Sequence, residues 1–326
     1  MAKLNMVQAI NLAMQQEMAR DRDVLVMGED VGKNGGVFRA TEGLQSQFGA
    51  ERVIDTPLAE AGIVGTAIGM AMMGLRPVAE IQFSGFAFLA LGQLEGQAAR
   101  MRSRTQGKLT VPMVLRMPYG GGVRALEHHS ESREATFAHL PGIKVVLPSG
   151  PRNARALLAA AIRDPDPVVF MEPKRSYRAF REEVPDGEEL MEIGKADIVQ
   201  TGTDLTLISW GAMMRPALKA AEDVAQRRNA RIEIIDVLTM SPMDKHTIAE
   251  SVKKTGRCVI AQEAPRSLSV SSEIIAAIND KALMYLEAPV KRVTYPDVNT
   301  VYFGREQLYI PGPERIARAI EETLDF

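Results

Sequence analysis

The sequence predicts an α/β fold of two domains, each built around a mostly parallel β-sheet. The chain has 326 residues, which is enough for two domains of ordinary size. Short apolar segments alternate with longer helix-like segments from Arg52 onward, and a second alternation starts at Leu205. A charged stretch at 174–192 separates the two series. This order is typical of parallel strands joined by helices, with ligand sites at the carboxyl ends of the strands.

The first series begins with an amphipathic helix, because Val7, Ile10, Met14 and Met18 recur at helical spacing among polar residues. A strand at 24–27 then leads into a glycine-rich loop. Further strands are predicted at 52–56, 77–83, 111–117, 144–147 and 168–171. Helices are predicted between them at 60–74, 86–104, 130–139 and 151–163.

The second series has the same alternation. Its strands are predicted at 205–209, 232–237, 258–262 and 290–294, and its helices at 213–228, 244–254, 270–284 and 314–324. The charged stretch between the series contains Pro185 and Gly187, which favours a linker. We therefore expect a first domain over residues 1–180, a linker over 181–192 and a second domain over 193–326.

Composition excludes several classes of partner. A formal net charge of -2 gives no reason to expect nucleic acid or an anionic membrane as a partner. The single cysteine, Cys258, excludes an intramolecular disulfide and fits a reducing compartment. The longest nearly uncharged apolar run, 62–75, is shorter than the roughly 20 residues of a membrane span. The N-terminus does not have the pattern of a secretory signal, so we expect a cytoplasmic protein.

Glu60 is the first candidate for chemistry. It is the only acid between Asp55 and Glu80, and it lies at the entry to a long apolar segment rich in small residues. In a buried helix the carboxyl would therefore lie at the N-terminal end, where the helix dipole and free N–H groups stabilise an anion. The alternative is an ordinary stabilising charge at a helix start.

Phe86, His128 and His129 are the other candidates. Phe86 follows a predicted strand, at a turn where its ring can face a ligand or join the core. The two histidines lie in a glycine-rich loop after the strand at 111–117, where they can serve acid–base chemistry or simply lie at the surface. No cysteine or carboxylate cluster shares metal-ligand spacing with them, and the sequence has no G-x-S-x-G or P-loop motif.

Several segments taken together resemble one enzyme family. They are Met27-Gly-Glu-Asp-Val-Gly32, Gly35-Gly-Val-Phe-Arg39, Asp55-Thr-Pro-Leu-Ala-Glu60, Gly74-Leu-Arg-Pro-Val-Ala-Glu-Ile-Gln-Phe83, His129-Ser130, Pro141-Gly-Ile-Lys-Val-Val146 and Asp166-Pro-Val-Val-Phe-Met-Glu-Pro-Lys174. In order and spacing they resemble the beta subunit of the thiamine-diphosphate-dependent decarboxylase component of 2-oxoacid dehydrogenase complexes. The resemblance covers essentially the whole chain. It implies a two-domain transketolase-like fold, with a thiamine-pyrimidine-binding domain followed by a transketolase-type C-terminal domain.

The resemblance also implies roles for particular residues. Glu60 is expected to contact N1′ of the aminopyrimidine, where a shared proton favours the imino form that activates the cofactor. Phe86 is expected to stack on the pyrimidine with Gln82 nearby, and His129 to act during acylation of the lipoyl group. The family also holds a structural potassium ion through backbone carbonyls, and the matching positions here are Met113, Ala161, Asp164 and Asp166.

One absent motif implies a partner. Related enzymes that bind the diphosphate themselves carry G-D-G followed by Asn, and this chain has no G-D-G. We therefore expect a separate alpha subunit that holds Mg²⁺ and the diphosphate in an α2β2 heterotetramer, with the glycine-rich helix after Glu60 at an interface. The resemblance further implies that a lipoyl acyltransferase docks through its subunit-binding domain on the second domain, near Glu287 and residues 321–326.

Three functions stay open from the sequence. The main prediction is oxidative decarboxylation of pyruvate with reductive acetylation of the lipoyl group. The second is the same reaction on branched-chain 2-oxo acids such as 2-oxoisovalerate, or on acetoin. Gln82-Phe-Ser-Gly-Phe86 favours pyruvate, whereas Gly120-Gly-Gly-Val-Arg124 resembles some branched-chain relatives. The third is a non-catalytic assembly subunit, which the joint presence of Glu60, Phe86 and His129 disfavours.

Overall fold

Two units make up the structure, a computed structural model that describes residues 1–301 and 303–326. The first unit comprises Met1–Tyr119 and Thr136–Ile193, and the second comprises Gly120–Ala135 and Gly194–Phe326. This division differs from the one drawn from the sequence in two segments. The segment at 120–135 goes with the second unit because its backbone amides bind carboxylates there. The expected linker contains a short strand of the first unit.

The first unit contains a parallel sheet. Its strands lie in the order β6-β7-β5-β4-β2-β3, and each neighbouring pair is parallel. Their bounds are β2 (Val24–Gly28), β3 (Val53–Asp55), β4 (Arg76–Glu80), β5 (Val114–Tyr119), β6 (Lys144–Val146) and β7 (Val168–Pro173). Two further strands, β1 (Ala2–Leu4) and β8 (Glu182–Val184), pair antiparallel. Strands β1 and β8 are not predicted from the sequence, because each is only 3 residues long and neither forms an apolar run.

Helices precede and connect these strands. They are α1 (Met6–Arg20), α2 (Leu44–Phe48), α3 (Glu60–Met72), α4 (Leu91–Gly96), α5 (Met101–Arg104), α6 (Glu134–Ala138) and α7 (Pro151–Arg163), and the first two residues of α6 belong to the second unit. Asn5 caps α1, accepting the N–H of Gln8 at 3.0 Å while the Gln8 side chain accepts that of Asn5. The helix predicted at 86–104 is broken into short α and 3₁₀ pieces, and Gly92 and Gly96 within it weaken a continuous helix.

The second unit has a sheet in the order β14-β13-β10-β11-β9, in which only β9 is antiparallel to its neighbour. The strands of this sheet are β9 (Asp197–Gln200), β10 (Leu205–Ser209), β11 (Ile232–Asp236), β13 (Cys258–Pro265) and β14 (Lys291–Tyr295). A further strand, β12 (Thr239–Ser241), is not part of it. Its helices are α8 (Met214–Arg228), α9 (Lys245–Thr255), α10 (Val270–Ala282), α11 (Glu306–Tyr309) and α12 (Pro313–Leu324). Buried side chains of β10, β11 and β13 pack with those of α8 and α12 to form its core, which includes Leu207, Ile234 and Ile320. Cys258 on β13 is fully buried, and burial raises the pKa of its thiol.

Within the part of the chain that the structure describes, no helix is both long and apolar enough to cross a membrane.

A buried ion cluster joins three strands of the first unit. Arg116 on β5 is 1% exposed, and its Nε and Nη2 donate to the two carboxylate oxygens of Glu172 on β7, each at 2.8 Å. Its Nη1 donates to Glu80, the last residue of β4, and Tyr177 donates its hydroxyl to Glu172. Burial raises the pKa of Glu80 despite the nearby guanidinium, because Arg116 must neutralise two carboxylates.

The second unit buries a carboxyl beside an indole. Glu134 is 0% exposed, and its Oε1 accepts a hydrogen bond from Nε1 of Trp210 at 3.1 Å. Its Oε2 has no hydrogen-bond partner among the described residues. Burial, aided by the negative charge of Glu263, raises the pKa of Glu134 to about 7. Folding therefore favours the protonated form of this carboxyl.

We expect Arg116→Met to lower the free energy of unfolding by about 3–5 kcal/mol, because it leaves two carboxylates buried without their cation. Urea unfolding of the chain, followed by circular dichroism, measures the loss. Lys219→Ala removes an exposed ion pair within α8 and serves as the control, with an expected change below about 1 kcal/mol. A similarly small change for Arg116→Met would show that the cluster does not stabilise the sheet.

Glu134→Gln should become more stable relative to the wild type as pH rises. A carboxyl whose pKa is raised on folding stabilises the folded state at a pH below its ordinary pKa of 4.5. This stabilisation is lost as the pH rises through the folded pKa of about 7. The difference in unfolding free energy should thus grow by about 2–3 kcal/mol in favour of Gln between about pH 5 and about pH 8. Parallel urea titrations of both proteins test this. A difference that stays constant with pH would contradict the raised pKa.

Candidate functional site

Three of the predicted site residues lie at one edge of the first sheet. Glu60 opens α3 shortly after β3, whereas Gln82 and Phe86 follow β4. Strand β2 lies between β3 and β4, and all three strands are parallel, so their carboxyl ends meet at the same edge. Helix α3 packs against the 3₁₀ helix Phe86–Ala90. The fold therefore brings Glu60, Gln82 and Phe86 to one place.

Glu60 is held in a setting that suits a carboxylate. It is the first residue of α3 and only 9% exposed. Ala59 before it supplies no side-chain cap, so the free N–H groups of the first turn and the helix dipole are available to a negative charge. The expected carboxyl at the start of a helix is present, but only one face of α3 is buried in the single chain.

Glu29 is an acid at this edge for which no role is predicted from the sequence. It directly follows β2. Burial raises the pKa of Glu29, and the negative charges of Asp30 and Glu60 raise it further. Glu29 and Glu60 therefore lie within electrostatic range of each other. Its place directly after an apolar strand is the sequence feature that marks Glu29 as a candidate site residue.

Asp55 holds the loop that carries Glu29. Its Oδ1 accepts the N–H of Gly32 at 2.6 Å, and its Oδ2 accepts that of Lys33 at 3.4 Å. The N–H of Thr56 also donates to the carbonyl of Gly28 at 3.0 Å. The aspartate that opens the Asp55-Thr-Pro-Leu-Ala-Glu60 segment thus has a structural role: it fixes the loop after β2 beside the start of α3.

Phe86 belongs to a group of aromatic rings. Phe83 and Phe86 meet edge to face with ring centroids 6.0 Å apart, and Phe38 meets Phe83 at 5.5 Å. The chain leaving β4 stays alongside β5, because the N–H of Ser84 donates to the carbonyl of Pro118 at 2.9 Å. Phe86 is only half-buried. Part of its ring is accessible near a buried carboxyl, which suits a flat nitrogen heterocycle that stacks and shares a proton.

His129 lies in the second unit, within the segment Gly120–Ala135. It ends a short 3₁₀ helix, Glu127–His129, and its N–H donates to the carbonyl of Leu126 at 3.0 Å. The N–H of Gly120 donates to the carbonyl of Glu131 at 3.0 Å, which closes the loop at its base. The predicted site residues thus divide between the two units, with His128 and His129 in the second.

The four positions predicted to bind potassium lie close together in the first unit. Asp164 and Asp166 are in the loop between α7 and β7, Ala161 is in the last turn of α7, and Met113 directly precedes β5. The Met113 carbonyl accepts the N–H of Val168 at 3.0 Å, and the Ala161 carbonyl accepts that of Asp164 at 3.3 Å. Each of these carbonyls retains a second lone pair that can face a cation.

The side chains around this loop are already paired. The Asp164 carboxylate binds Lys144 at 2.7 Å, and that of Asp166 binds Arg102 at 2.6 Å. Arg76 also donates to the Asp164 carbonyl at 3.3 Å. Among the described residues, no group of three or more His, Cys, Asp or Glu side chains is arranged to hold a metal ion. A cation here would therefore depend on backbone carbonyls.

Two family models match the chain in succession. "Transketolase, pyrimidine binding domain" matches residues 2–179, and "Transketolase, C-terminal domain" matches residues 194–316. A solved structure titled "Split gene transketolase, inactive beta4 tetramer" has a TM-score of 0.81 to this chain at 21% identity, covering 99% of each chain. These matches confirm the predicted two-domain transketolase-like fold.

Full-length relatives identify the family more narrowly. A Bacillus subtilis (strain 168) protein named "Pyruvate dehydrogenase E1 component subunit beta" is 48% identical over 326 residues, covering 100% of both chains. The protein of the same name from Acholeplasma laidlawii is 50% identical over 322 residues, covering 99% of this chain and 98% of that protein. The resemblance found in the sequence motifs is confirmed, and the chain belongs to the family of beta subunits of the thiamine-diphosphate-dependent pyruvate dehydrogenase E1 component.

Proposed function

We propose that this chain, together with an alpha subunit, catalyses the oxidative decarboxylation of pyruvate and the reductive acetylation of the lipoyl group of an acyltransferase. The observation that carries the proposal is the grouping of Glu60, Gln82 and Phe86 at the carboxyl edge of three adjacent parallel strands. The names of the full-length relatives support pyruvate over branched-chain 2-oxo acids and acetoin.

The residues at this edge fit the aminopyrimidine of thiamine diphosphate. The cofactor, when bound, supplies the electron sink that decarboxylation of a 2-oxo acid requires. The half-buried ring of Phe86 offers a face for stacking, and Gln82 offers an amide beside it. The Glu60 carboxyl holds a proton at the ring nitrogen, and the start of α3 stabilises the carboxylate when that proton leaves. Glu29 is a second acid near this position, and burial together with the negative charges of Asp30 and Glu60 raises its pKa.

The alpha subunit is proposed to hold Mg²⁺ and the diphosphate in an α2β2 assembly, because this chain has no G-D-G motif. The surface around α3 supports a subunit contact. Leu58, just before α3, is 69% exposed, and Met73, just after it, is 85% exposed. A side chain at Gly69 would meet nothing within 4 Å in the single chain, so this helix face is open. Exposed apolar groups beside an open helix face are typical of an interface.

The acyltransferase is proposed to dock at the amino ends of β13 and β14 in the second unit. Arg257, just before β13, pairs with Glu287, and Lys291, the first residue of β14, pairs with Glu322 near the end of α12. Glu287 and the C-terminal helix therefore lie at the same sheet edge. Phe326 is 73% exposed there, an apolar anchor among charged groups.

Two variants separate the proposed roles of Glu60 and His129. Glu60→Gln should lower decarboxylation in an artificial-acceptor assay, and lipoyl acetylation with it, by about 10²–10⁴-fold, because Gln cannot exchange a proton with the cofactor. His129→Ala should lower lipoyl acetylation more than decarboxylation. Both are measured in the assembled heterotetramer.

Glu51→Gln, which changes an exposed carboxyl of the first unit, serves as the control and should leave both rates unchanged. Near-normal decarboxylation by an assembled Glu60→Gln enzyme would rule out the assignment of Glu60. Equal losses in both assays for His129→Ala would remove its specific role in acetylation.

We also propose that a potassium ion binds the carbonyls of Met113, Ala161, Asp164 and Asp166. Their position around one loop and the absence of free carboxylates there favour a weakly hydrated monovalent cation. The melting temperature should then be higher in potassium chloride than in sodium or choline chloride of equal ionic strength, because binding to the folded state stabilises it. Equal melting temperatures in all three salts would argue against the site.

Charges at the docking edge should set the affinity for the acyltransferase. Glu287→Lys, or removal of Asp325 and Phe326, should weaken binding of the subunit-binding domain by about tenfold at low salt and leave artificial-acceptor decarboxylation intact. Glu222→Lys on α8 makes the same charge change at an exposed site and should not alter binding. Calorimetric titration measures each affinity, and unchanged values for both docking variants would place the surface elsewhere.

A further inference from the structure

We propose that Glu306 and Glu263 are positioning residues for His129, because their carboxylates hold the glycine-rich start of the loop that carries it. We call these two carboxylates the loop clamp. The inference rests on the proposed role of His129 in lipoyl acetylation. The clamp itself lies entirely within the second unit and is tested separately below.

The clamp binds three backbone amides of one short segment. Glu306 is 1% exposed; its Oε1 accepts the N–H of Gly122 at 2.6 Å, and its Oε2 accepts that of Arg124 at 2.9 Å. Glu263 on β13 is 7% exposed and accepts the N–H of Gly121 at 2.5 Å. Both oxygens of Glu306 are therefore used by the loop backbone.

Hydrogen bonds from backbone amides to buried carboxylates are expected to hold the segment 121–124 firmly. Amides close together in a turn form a concave site for an anion, and here the protein supplies its own anions. Hydrogen bonds to an ionised acceptor are shorter and roughly twice as strong as neutral ones. Because both carboxylates are buried, water neither competes with these bonds nor screens them strongly. The segment 121–124 is consequently fixed to β13 and α11.

The glycines make the close approach possible. A Cβ at Gly121 would lie 2.4 Å from Oε1 of Glu306 and 3.1 Å from Cδ1 of Ile310. Both distances are too short for a normal contact with a side chain, so any larger residue would push the Glu306 carboxylate away. The close contacts of the Glu263 and Glu306 carboxylates with the backbone therefore explain why the Gly120-Gly-Gly-Val-Arg124 segment is rich in glycine.

The far end of the loop is also anchored, so the clamp and this second anchor together position the residues between them. Glu134, five residues after His129 in the sequence, is bound to Trp210. A cavity of about 210 Å³ adjoins the loop, bordered by Ser130, Arg133 and the two clamp acids. The segment after His129 therefore has room to shift if the clamp is released. A shift of about 1 Å at a group that acts on a substrate can cost about a hundredfold in rate.

The decisive variant is Glu306→Gln. Its amide can accept from only one of the two N–H groups and turns its own NH₂ toward the other. Glu263→Gln is a matched comparison, because its remaining oxygen can still accept from Gly121. Gly121→Ala disrupts the contact between the loop and Glu306 by a change in the loop itself. Glu314→Gln, an exposed acid in the first turn of α12, serves as the control.

All variants are assayed as assembled heterotetramers, and backbone hydrogen exchange follows residues 121–124. Glu306→Gln and Gly121→Ala should speed exchange of these amides and lower kcat/KM for lipoyl acetylation about tenfold or more. Artificial-acceptor decarboxylation should change less than about twofold, which a general folding defect would not allow. In a His129→Ala background, Glu306→Gln should cause no further loss of acetylation.

Three results would overturn the inference. The first is unchanged exchange of residues 121–124 in Glu306→Gln, which shows that the carboxylate does not hold the loop. The second is faster exchange with normal acetylation, and the third is an undiminished effect in the His129→Ala background; both show that the clamp does not act through His129. Normal acetylation by the single variant His129→Ala would instead refute the proposed role of His129, and the exchange data would still decide whether the clamp exists.

Discussion

Arg116 imposes the constraint on which the first unit depends. One guanidinium, fully surrounded by protein, faces the carboxylates of Glu80 and Glu172 and so links β4, β5 and β7. Apolar side chains of the same size would often give equal or greater stability, because burying charge is costly. What the ions add is geometric definition: only one strand register satisfies all three groups. Gln82 follows Glu80 by two residues, so the path of the chain toward Phe86 is set from that point.

Both units use carboxylates to hold loops that follow parallel strands. Asp55 accepts two amides of the loop after β2, and Glu306 accepts two amides of the loop after β5. Functional residues often lie on loops of this kind, because the carboxyl ends of parallel strands meet there. The backbone N–H and C=O groups of these loops, however, have no partner in a neighbouring strand. An acid from elsewhere in the fold supplies that partner. The acids that position the site are consequently distinct from those proposed to react, such as Glu60.

Most regular elements were predictable because they leave a local pattern. The apolar runs of β2 and β7 and the periodicity of α7 and α12 predict those elements within a few residues. The roles proposed for Glu60 and His129 rest on motif resemblance, since spacing alone leaves each with an ordinary alternative. Glu263 and Glu306 were not predicted, because the contact of Glu263 with Gly121 joins positions 142 residues apart. Such a contact leaves no trace in local hydropathy or charge, and the same holds for Arg116 and its partners.

Cys258 gives the second unit an internal reporter. It is the only cysteine in the sequence, it lies on an interior strand of the sheet, and burial raises the pKa of its thiol. Alkylating reagents attack the thiolate and need access to it, so the folded chain resists them. The extent of thiol modification therefore measures the fraction of molecules in which β13 has become exposed. It also means that a cysteine introduced on the surface would be labelled selectively in the native protein, leaving a spectroscopic probe at one known position.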